Sequence, residues 1–569
     1  MKMKKIVYIF TVIVAGFLAA SCVGDLDTKP LNKTDFVTET VYDAQEATYL
    51  QGLAKIYYQF VSNDTKNLEV ADAGASELIR GFWSSQETTT DEAKCAWIDD
   101  AWVRALNTNT WSEDQNDATY AIYVRTLQGI TFVNEYLRQT SADNLKSRGV
   151  SDELARKIDG FRAEARFLRA YFYWMAMDTF GDVPFTTEED VLGMDFRPKQ
   201  KARAEVFKYI TDELEDLLEE DSAMPAPRSN YPRADKGAVA GLLARLYLNA
   251  EVYTSSVDLQ NYTAGTPRWS DAQRVCEMIF DMGYDLCSDY TWLFRGDNGQ
   301  NPEARKELIF TASYDSENTR SYGGTTYLLF ASLSADEVTS KTMPTGVNTG
   351  WAGLRVPYEF IKRVFRPLTT PNYSKGTYLI GDKRADGLFN IKGRKESMDN
   401  DNLYEFMCGW TCWKFNNIPH DKTEAEFLPD AKTKSYSDID FPLIRLGEIY
   451  LIYAEACMHL TETGKALPYV KELAERAGLD PDDVTEGLIT EKWLMEERAR
   501  ELYWEGHRRT DLIRYGLFHS DGYIWPYKGS DAFKGKAFDE YMNVFAIPPT
   551  ELAANTELYQ NYGYPVPNK

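Results

Sequence analysis

The chain has 569 residues, of which 44% are hydrophobic, and it carries a formal net charge of −24. This apolar content is enough for a sizeable buried core, whereas the negative charge excludes nucleic acid, anionic lipid surfaces and acidic polysaccharides as expected partners. A neutral ligand is therefore predicted, and with only four histidines the sequence disfavours metal and imidazole acid–base chemistry while leaving carboxylate chemistry open.

The first predicted element is a secretory signal peptide over residues 1–21. Three lysines precede an uncharged apolar run over residues 6–20, which is shorter than the about 20 residues that span a bilayer. Small residues before Cys22 resemble a bacterial lipobox, which predicts that Cys22 carries lipid and anchors residues 22–569. The alternative is an ordinary signal whose cleavage site lies beside a cysteine.

Helices are predicted after a polar tether at residues 23–40, because apolar side chains recur at spacings of three and four residues. Asp43 is predicted to cap a helix that reaches Tyr57, and further helices are predicted at residues 159–180, 203–220, 235–253 and 446–457. Alanine-rich helices with bulky aromatic residues nearby are typical of helix-pair repeats of roughly 34 residues, although no strict period is visible.

Two regions interrupt this helical pattern and are predicted to be functional insertions. Residues 81–117 place four tryptophans among polar residues, and residues 290–435 are rich in Gly, Thr, Asn and aromatic residues. The tryptophans are Trp83, Trp97, Trp102 and Trp111. One domain is predicted, with a helical scaffold mainly at 42–60, 115–285 and 440–520 and binding loops mainly at 80–115 and 290–435.

Six cysteines follow Cys22 without a Cys-x-x-Cys pair or a Cys/His zinc spacing. Outside the cytoplasm, Cys276–Cys287 or Cys408–Cys412 could be bridged. Buried free thiols are favoured instead, because a core of this size does not need cross-links.

Four segments carry a family resemblance, together with the lipobox and the acidic residues behind it. They are residues 162–184 (RAEARFLRAYFYWMAMDTFGDVP), 233–253 (RADKGAVAGLLARLYLNAEVY), 441–456 (FPLIRLGEIYLIYAEA) and 497–516 (ERARELYWEGHRRTDLIRYG). In these segments the chain resembles the SusD/RagB family of surface glycan-binding lipoproteins. The resemblance implies an all-α fold of tetratricopeptide-like helix pairs, and a lipid-anchored place at the cell outer membrane. It also implies docking onto a SusC-type TonB-dependent transporter, without enzymatic activity.

The loops resemble those of starch-binding members of this family. The matching positions are Arg80, Thr90-Asp91-Glu92, Trp97, residues 322–327 (YGGTTY) and Trp351. The resemblance implies that Trp97 and Tyr322 stack on sugar rings, that Arg80 and Asp100 bind hydroxyls, and that Trp351 flanks this arc. Such residues suit a pyranose, which has an apolar face and a polar rim. The implied ligand is an α-glucan, either starch or a malto-oligosaccharide, whereas core packing is the alternative role for Trp97.

Two positions depart from the starch-binding pattern. Cys95 stands where a tryptophan is expected, which removes half of a stacking surface. Asp100 stands where an asparagine is expected, so an acceptor-only carboxylate replaces an amide. Trp83 and Trp102 are candidates to supply the missing ring. Another neutral polysaccharide is therefore the alternative ligand.

The resemblance also implies a calcium site, with Asp297 and Asn298 as oxygen ligands, and no other cofactor. A solvated polar loop would explain these two residues equally well.

Catalysis is disfavoured by the pattern of acidic residues. Glu497, Glu501 and Glu505 recur every fourth residue near Arg498, Arg508 and Asp511, which predicts ion pairs between the last helices. A glycoside hydrolase needs two carboxylates about 5 to 10 Å apart across a groove. Asp91, Glu92, Asp99 and Asp100 lie near the predicted site, so a lipid-anchored hydrolase is the alternative. A second alternative is a transporter lid with little glycan affinity.

Overall fold

The computed structural model describes residues 42–566, apart from residues 43, 67, 69, 71, 115, 191–192, 194–195, 340–344, 368–379, 396, 400–401, 424–425 and 428–433. The predictions for the signal peptide, Cys22, the tether and the cap at Asp43 lie outside the described residues. None of the described helices combines the length and the apolar character that a membrane crossing demands.

Helices dominate the described chain, as the sequence predicts. In order they are α1 (Glu46–Tyr57), α2 (Leu78–Trp83), α3 (Ala101–Thr108), α4 (Asp117–Gln139), α5 (Ala142–Ser147), α6 (Asp152–Phe180), α7 (Arg203–Leu218), α8 (Lys236–Leu248), α9 (Ala250–Thr254), α10 (Trp269–Phe280), α11 (Ala304–Glu307), α12 (Gly324–Ala331), α13 (Ala335–Thr339), α14 (Tyr358–Val364), α15 (Leu446–His459), α16 (Thr463–Arg476), α17 (Glu491–Leu502), α18 (Arg508–Arg514) and α19 (Pro549–Ala554).

The predicted helices are confirmed, with ends set by local capping. α6 begins upstream of the predicted residue 159, because the Ser151 hydroxyl accepts a hydrogen bond from the Leu154 N–H and caps the helix. The predicted helix at 235–253 is two helices instead of one. Asp235 caps α8 by accepting from the N–H groups of Gly237 and Ala238, and Asn249 separates α8 from α9.

Short antiparallel ladders connect the helical layers. They pair β1 (Lys94–Cys95) with β5 (Leu354–Arg355), β2 (Val183–Pro184) with β3 (Gln200–Lys201), β4 (Leu308–Ala312) with β8 (Phe441–Arg445), and β6 (Phe389–Asn390) with β7 (Thr411–Cys412). The β4–β8 ladder joins a strand inside the loop-rich region 290–435 to a strand that follows it, so that region folds back onto the scaffold.

The helices pack as neighbouring pairs around one continuous core. α4 packs against α6, α6 against α7, α8 against α10, and α15 against α16. Residues from Tyr49 to Tyr564 contribute to the same buried cluster. Each fully buried Leu or Phe side chain contributes about 1.5–3 kcal/mol, so this core is the main source of stability. The predicted all-α scaffold of helix pairs is confirmed.

A buried charge network holds the last helices to the loop-rich region. Glu501 accepts hydrogen bonds from three guanidinium groups, at 3.0 Å from Arg384, at 2.6 Å from Arg445, and from Arg476. Glu505 pairs with Arg445 at 2.7 Å. Burial alone would raise the pKa of Glu501, but the three cations outweigh it and hold that pKa well below its usual range. Glu497, Glu501 and Glu505 form ion pairs as predicted, but their partners include Arg384 and Arg445, which lie outside the last helices. The pair that joins α17 to α18 is Arg498 with Asp511, at 2.8 Å.

The region at residues 81–117 differs from the predicted surface insertion. Trp83 is buried and donates its indole N–H to the Trp504 carbonyl at 2.9 Å, and Trp111 is buried against Tyr564. The polar residues from 84 to 94 are also buried, and among them Glu87 accepts a hydrogen bond from the N–H of Gly506 at 2.6 Å. Most of this segment is therefore polar core, and its function in binding begins only near Trp97.

The six described cysteines are buried free thiols. They are Cys95, Cys276, Cys287, Cys408, Cys412 and Cys457. The prediction that neither Cys276–Cys287 nor Cys408–Cys412 is bridged is confirmed.

Candidate functional site

The floor of the candidate site is the β1–β5 ladder with the residues that follow β1. The Ala96 N–H donates to the Gly353 carbonyl at 2.9 Å and extends the ladder by one residue. Trp97 therefore leaves the ladder at its end and is half-buried, with its ring 5.8 Å from the ring of Tyr327. Part of the Trp97 indole packs on the core, and part of it remains available to a ligand.

Arg80 lies beneath this floor. Its guanidinium makes two hydrogen bonds with the Asp72 carboxylate, at 2.6 and 2.9 Å, and stacks 4.3 Å from the Tyr327 ring centroid. The Arg80 side chain is only 3% exposed, whereas the Asp72 side chain is 44% exposed. Arg80 therefore holds Asp72 and Tyr327 in place from below, and the Asp72 carboxylate is the polar group that a ligand would contact. No sequence pattern had singled out Asp72.

Three aromatic rings form the exposed part of the site, and we call them the aromatic shelf. Tyr322 is 43% exposed, and its ring centroid lies 6.1 Å from that of Trp351 and 5.1 Å from that of Tyr436. Trp351 is fixed from below by Phe330, at 4.9 Å between ring centroids, and by a 2.7 Å backbone hydrogen bond to the Phe330 carbonyl. The resemblance implied Tyr322 and Trp351, and it missed Tyr436.

The two halves of the site meet at Gly74. A Cβ atom there would collide with the Arg80 guanidinium and with the Tyr322 carbonyl, so these two residues are in close approach around it. Asp100 lies near Asp72 and Arg80 at the edge of the site. Burial and the Asp72 carboxylate raise the pKa of Asp100, and Arg80 partly opposes this rise. The structure therefore brings together all five predicted residues, although Arg80 is covered.

The candidate replacements for a missing tryptophan pack against the hydrophobic core. Cys95 is 1% exposed inside the ladder, and its backbone is bonded to Asn107 at 2.9 and 2.7 Å. A larger ring at that position would enter the core. Trp83 is a core residue, and the indole nitrogen of Trp102 is buried. The shelf is instead widened by Tyr436, which is close in space but far along the chain.

Two of the four carboxylates considered for a hydrolase are bonded within the polar core. Asp91 is buried and accepts hydrogen bonds from Arg508 at 2.9 Å and from the Tyr523 hydroxyl at 2.6 Å. Glu92 is buried and accepts from the Trp504 N–H at 3.0 Å. Both carboxylates stabilise the polar core, so of the four acidic residues considered only Asp99 and Asp100 lie at the site.

The residues implied for calcium have different surroundings. Asn298 is buried, and its amide bonds the backbone of Leu293 and Asp440. Asp297 instead lies 2.5 Å from the His420 ring nitrogen, and the exposed Asp421 completes a group whose ligand atoms lie within 4.8 Å of one another. Binding of a cation at Asp297 stays a prediction, whereas the bonded Asn298 amide is poorly placed to contribute.

Comparison with known protein families matches both halves of the chain to SusD-type family descriptions. The description "SusD family" matches residues 390–564, and "Starch-binding associating with outer membrane" matches residues 47–248. The starch-binding protein SusD of Bacteroides thetaiotaomicron is 31% identical over 99% of this chain and 100% of its own length. A SusD-like protein of Formosa agariphila is 25% identical over 66% of this chain and 67% of its own length.

Solved structures share the fold. A SusD superfamily protein from Parabacteroides distasonis has a TM-score of 0.65 at 20% identity, covering 91% of this chain and 99% of its own. Surface glycan-binding protein A from Bacteroides thetaiotaomicron, solved with laminarihexaose, has a TM-score of 0.64 at 18% identity, covering 90% of this chain and 99% of its own.

Proposed function

This chain belongs to the SusD family, and from that premise we propose that it binds a neutral glycan at the bacterial cell surface. The preferred ligand is an α-glucan, either starch or a malto-oligosaccharide, delivered to a TonB-dependent outer-membrane transporter. Tyr322, Trp351 and Tyr436 stack on sugar faces beside Trp97, and Asp72 and Asp100 accept hydrogen bonds from hydroxyls.

The observation that carries this proposal is the aromatic shelf beside two partly exposed carboxylates. Aromatic rings that reach the surface are costly to leave in water, and a group in which Tyr322 contacts both Trp351 and Tyr436 is typical of a binding surface. The rings cover the C–H faces of a pyranose at a low entropic cost. The full-length similarity to a starch-binding protein supports an α-glucan as the ligand.

Binding without catalysis is the proposed activity. A hydrolase requires one carboxylate on each side of the scissile bond. Asp72 pairs with Arg80 and lies near enough to Asp100 to raise its pKa, and Asp91 and Glu92 are bonded within the core. These positions suit carboxylates that bind hydroxyls.

The proposal is tested by titrating the purified mature protein with maltoheptaose and with laminarihexaose, in low and high salt. We expect maltoheptaose to bind with an affinity that changes little with salt, because a neutral ligand has no charge to screen. If laminarihexaose binds and maltoheptaose does not, the ligand is a β-glucan and the α-glucan proposal is wrong. A steep loss of affinity in high salt, or new reducing ends after incubation with amylose, would contradict the proposal.

We further propose that acyl chains on Cys22 are the membrane anchor. Replacing Cys22 with alanine is expected to release the protein from the outer-membrane fraction without unfolding it, because the described helices offer no spanning segment. Fractionation of cells that lack the partner transporter is the measurement. If the variant still sediments with the outer membrane in those cells, the anchor lies elsewhere.

A further inference from the structure

Glu77 is a buried acid directly behind the exposed tyrosine of the aromatic shelf. One of its carboxylate oxygens accepts a hydrogen bond from the Tyr314 hydroxyl, and the other accepts from the Ser321 hydroxyl at 2.8 Å. Glu77 itself is fully buried. The carboxylate is also so close to the backbone at Gly323 that a Cβ atom there would collide with it. Glu77 therefore contacts the chain on both sides of Tyr322.

Ser321 connects the Glu77 carboxylate to the turn that carries Tyr322. Its hydroxyl accepts a hydrogen bond from the Gly323 N–H at 3.0 Å, which closes the turn around Tyr322. The same hydroxyl lies 3.1 Å from the Asn63 side-chain oxygen and 2.8 Å from Glu77. Because a serine has only one hydroxyl proton, it cannot donate to both acceptors at once.

The protonation of Glu77 resolves this competition. A neutral Glu77 donates its own proton to Ser321, and Ser321 then donates to Asn63, so that every group is bonded. An ionised Glu77 instead accepts the hydrogen bond of the Ser321 hydroxyl, and the Asn63 oxygen is left without that donor. The turn carrying Tyr322 is therefore held at one more point when Glu77 is neutral.

We propose that Glu77 positions Tyr322 for glycan binding and that, through its own proton, it makes binding tighter on the acid side of neutrality. The inference rests on the proposed function of the same site. It adds a positioning residue that does not touch the glycan.

The surroundings of Glu77 bring its pKa close to neutrality. Burial raises the pKa of Glu77 to about 7, and the hydrogen bonds from Tyr314 and Ser321 only partly oppose that rise. The charged groups that face it are Arg80 on α2, the helix that Glu77 precedes, and Arg125 on α4, and both favour the ionised form. Asp440 lies behind Tyr314, where it adds negative charge. Glu77 is thus neutral in mildly acidic solution and ionised in mildly alkaline solution.

The test is the affinity for maltoheptaose between pH 5.5 and pH 8.5. The wild-type protein is expected to bind roughly three- to tenfold more weakly at the upper pH, which is the effect of losing about one hydrogen bond. Glu77→Gln retains a donor toward Ser321 at every pH, so its affinity should stay at the acid value throughout. Ser321→Ala removes the connection, so its affinity should be lower and independent of pH.

Glu87→Gln is the matched control. Glu87 is another buried acid whose pKa burial raises to about 7, but its partners are the backbone N–H groups of Gly506 and His507. This variant should keep the wild-type pH dependence of binding. Circular dichroism confirms the fold of each variant. A flat wild-type profile, a sloping Glu77→Gln profile, or a flat Glu87→Gln profile would each overturn the inference. Absence of wild-type binding at every pH would instead refute the proposed function, and the inference with it.

Discussion

Replacing Tyr322 with alanine is expected to remove measurable glycan binding while leaving the protein folded. Its ring is 43% exposed and is the member of the aromatic shelf that contacts both Trp351 and Tyr436. Loss of a central aromatic ring commonly costs about 2 kcal/mol or more, and a millimolar glycan complex starts from only about 4 kcal/mol. Calorimetric titration with maltoheptaose is the measurement.

Tyr262 supplies the matched control for this prediction. It is an exposed tyrosine, 58% accessible, in a loop that contributes to a different cleft. Tyr262→Ala should bind maltoheptaose like the wild-type protein. An unchanged affinity in Tyr322→Ala would place the glycan away from the aromatic shelf.

Replacing Glu501 with glutamine is expected to cause the largest loss of stability among single polar substitutions at the buried network. The carboxylate lies among Arg384, Arg445 and Arg476, and its removal leaves buried cations with too little negative charge. Breaking a buried ion pair in this way typically costs about 3–5 kcal/mol. The shift of the urea unfolding midpoint, followed by circular dichroism, measures this loss.

An exposed pair provides the comparison. Glu135 forms a surface ion pair with Arg138 on α4, at 2.8 Å, and Glu135→Gln should change stability by less than about 1 kcal/mol. Equal midpoints for Glu501→Gln and Glu135→Gln would mean that the buried network does not hold the last helices in place.

The helical scaffold could be predicted because its signals are local. The 3.6-residue spacing of apolar side chains and the glycine after α6 are visible in the sequence, and both are found in the structure. The break between α8 and α9 at Asn249 was missed, because both helices continue the same apolar pattern. The burial of residues 82–96 was also missed, since polar residues look like a surface loop unless their distant partners are known.

The site was predicted only in part, for a similar reason. Family resemblance pointed to Trp97, Tyr322 and Trp351, which lie on segments far apart in the sequence. It did not reveal that Asp72 covers Arg80, because an ion pair is set by the path of the chain. Tyr436 joins the aromatic shelf from a segment with no recognisable motif. Spatial neighbours of this kind require the folded coordinates.

The polar core at residues 84–92 depends on partners from the far end of the chain. Asp91 finds its cation in Arg508, 417 residues later, and Glu92 depends on the backbone at Trp504. A chain truncated before residue 504 would lack them altogether. We therefore expect an amino-terminal fragment to leave these buried carboxylates unpaired, which makes it unstable on its own.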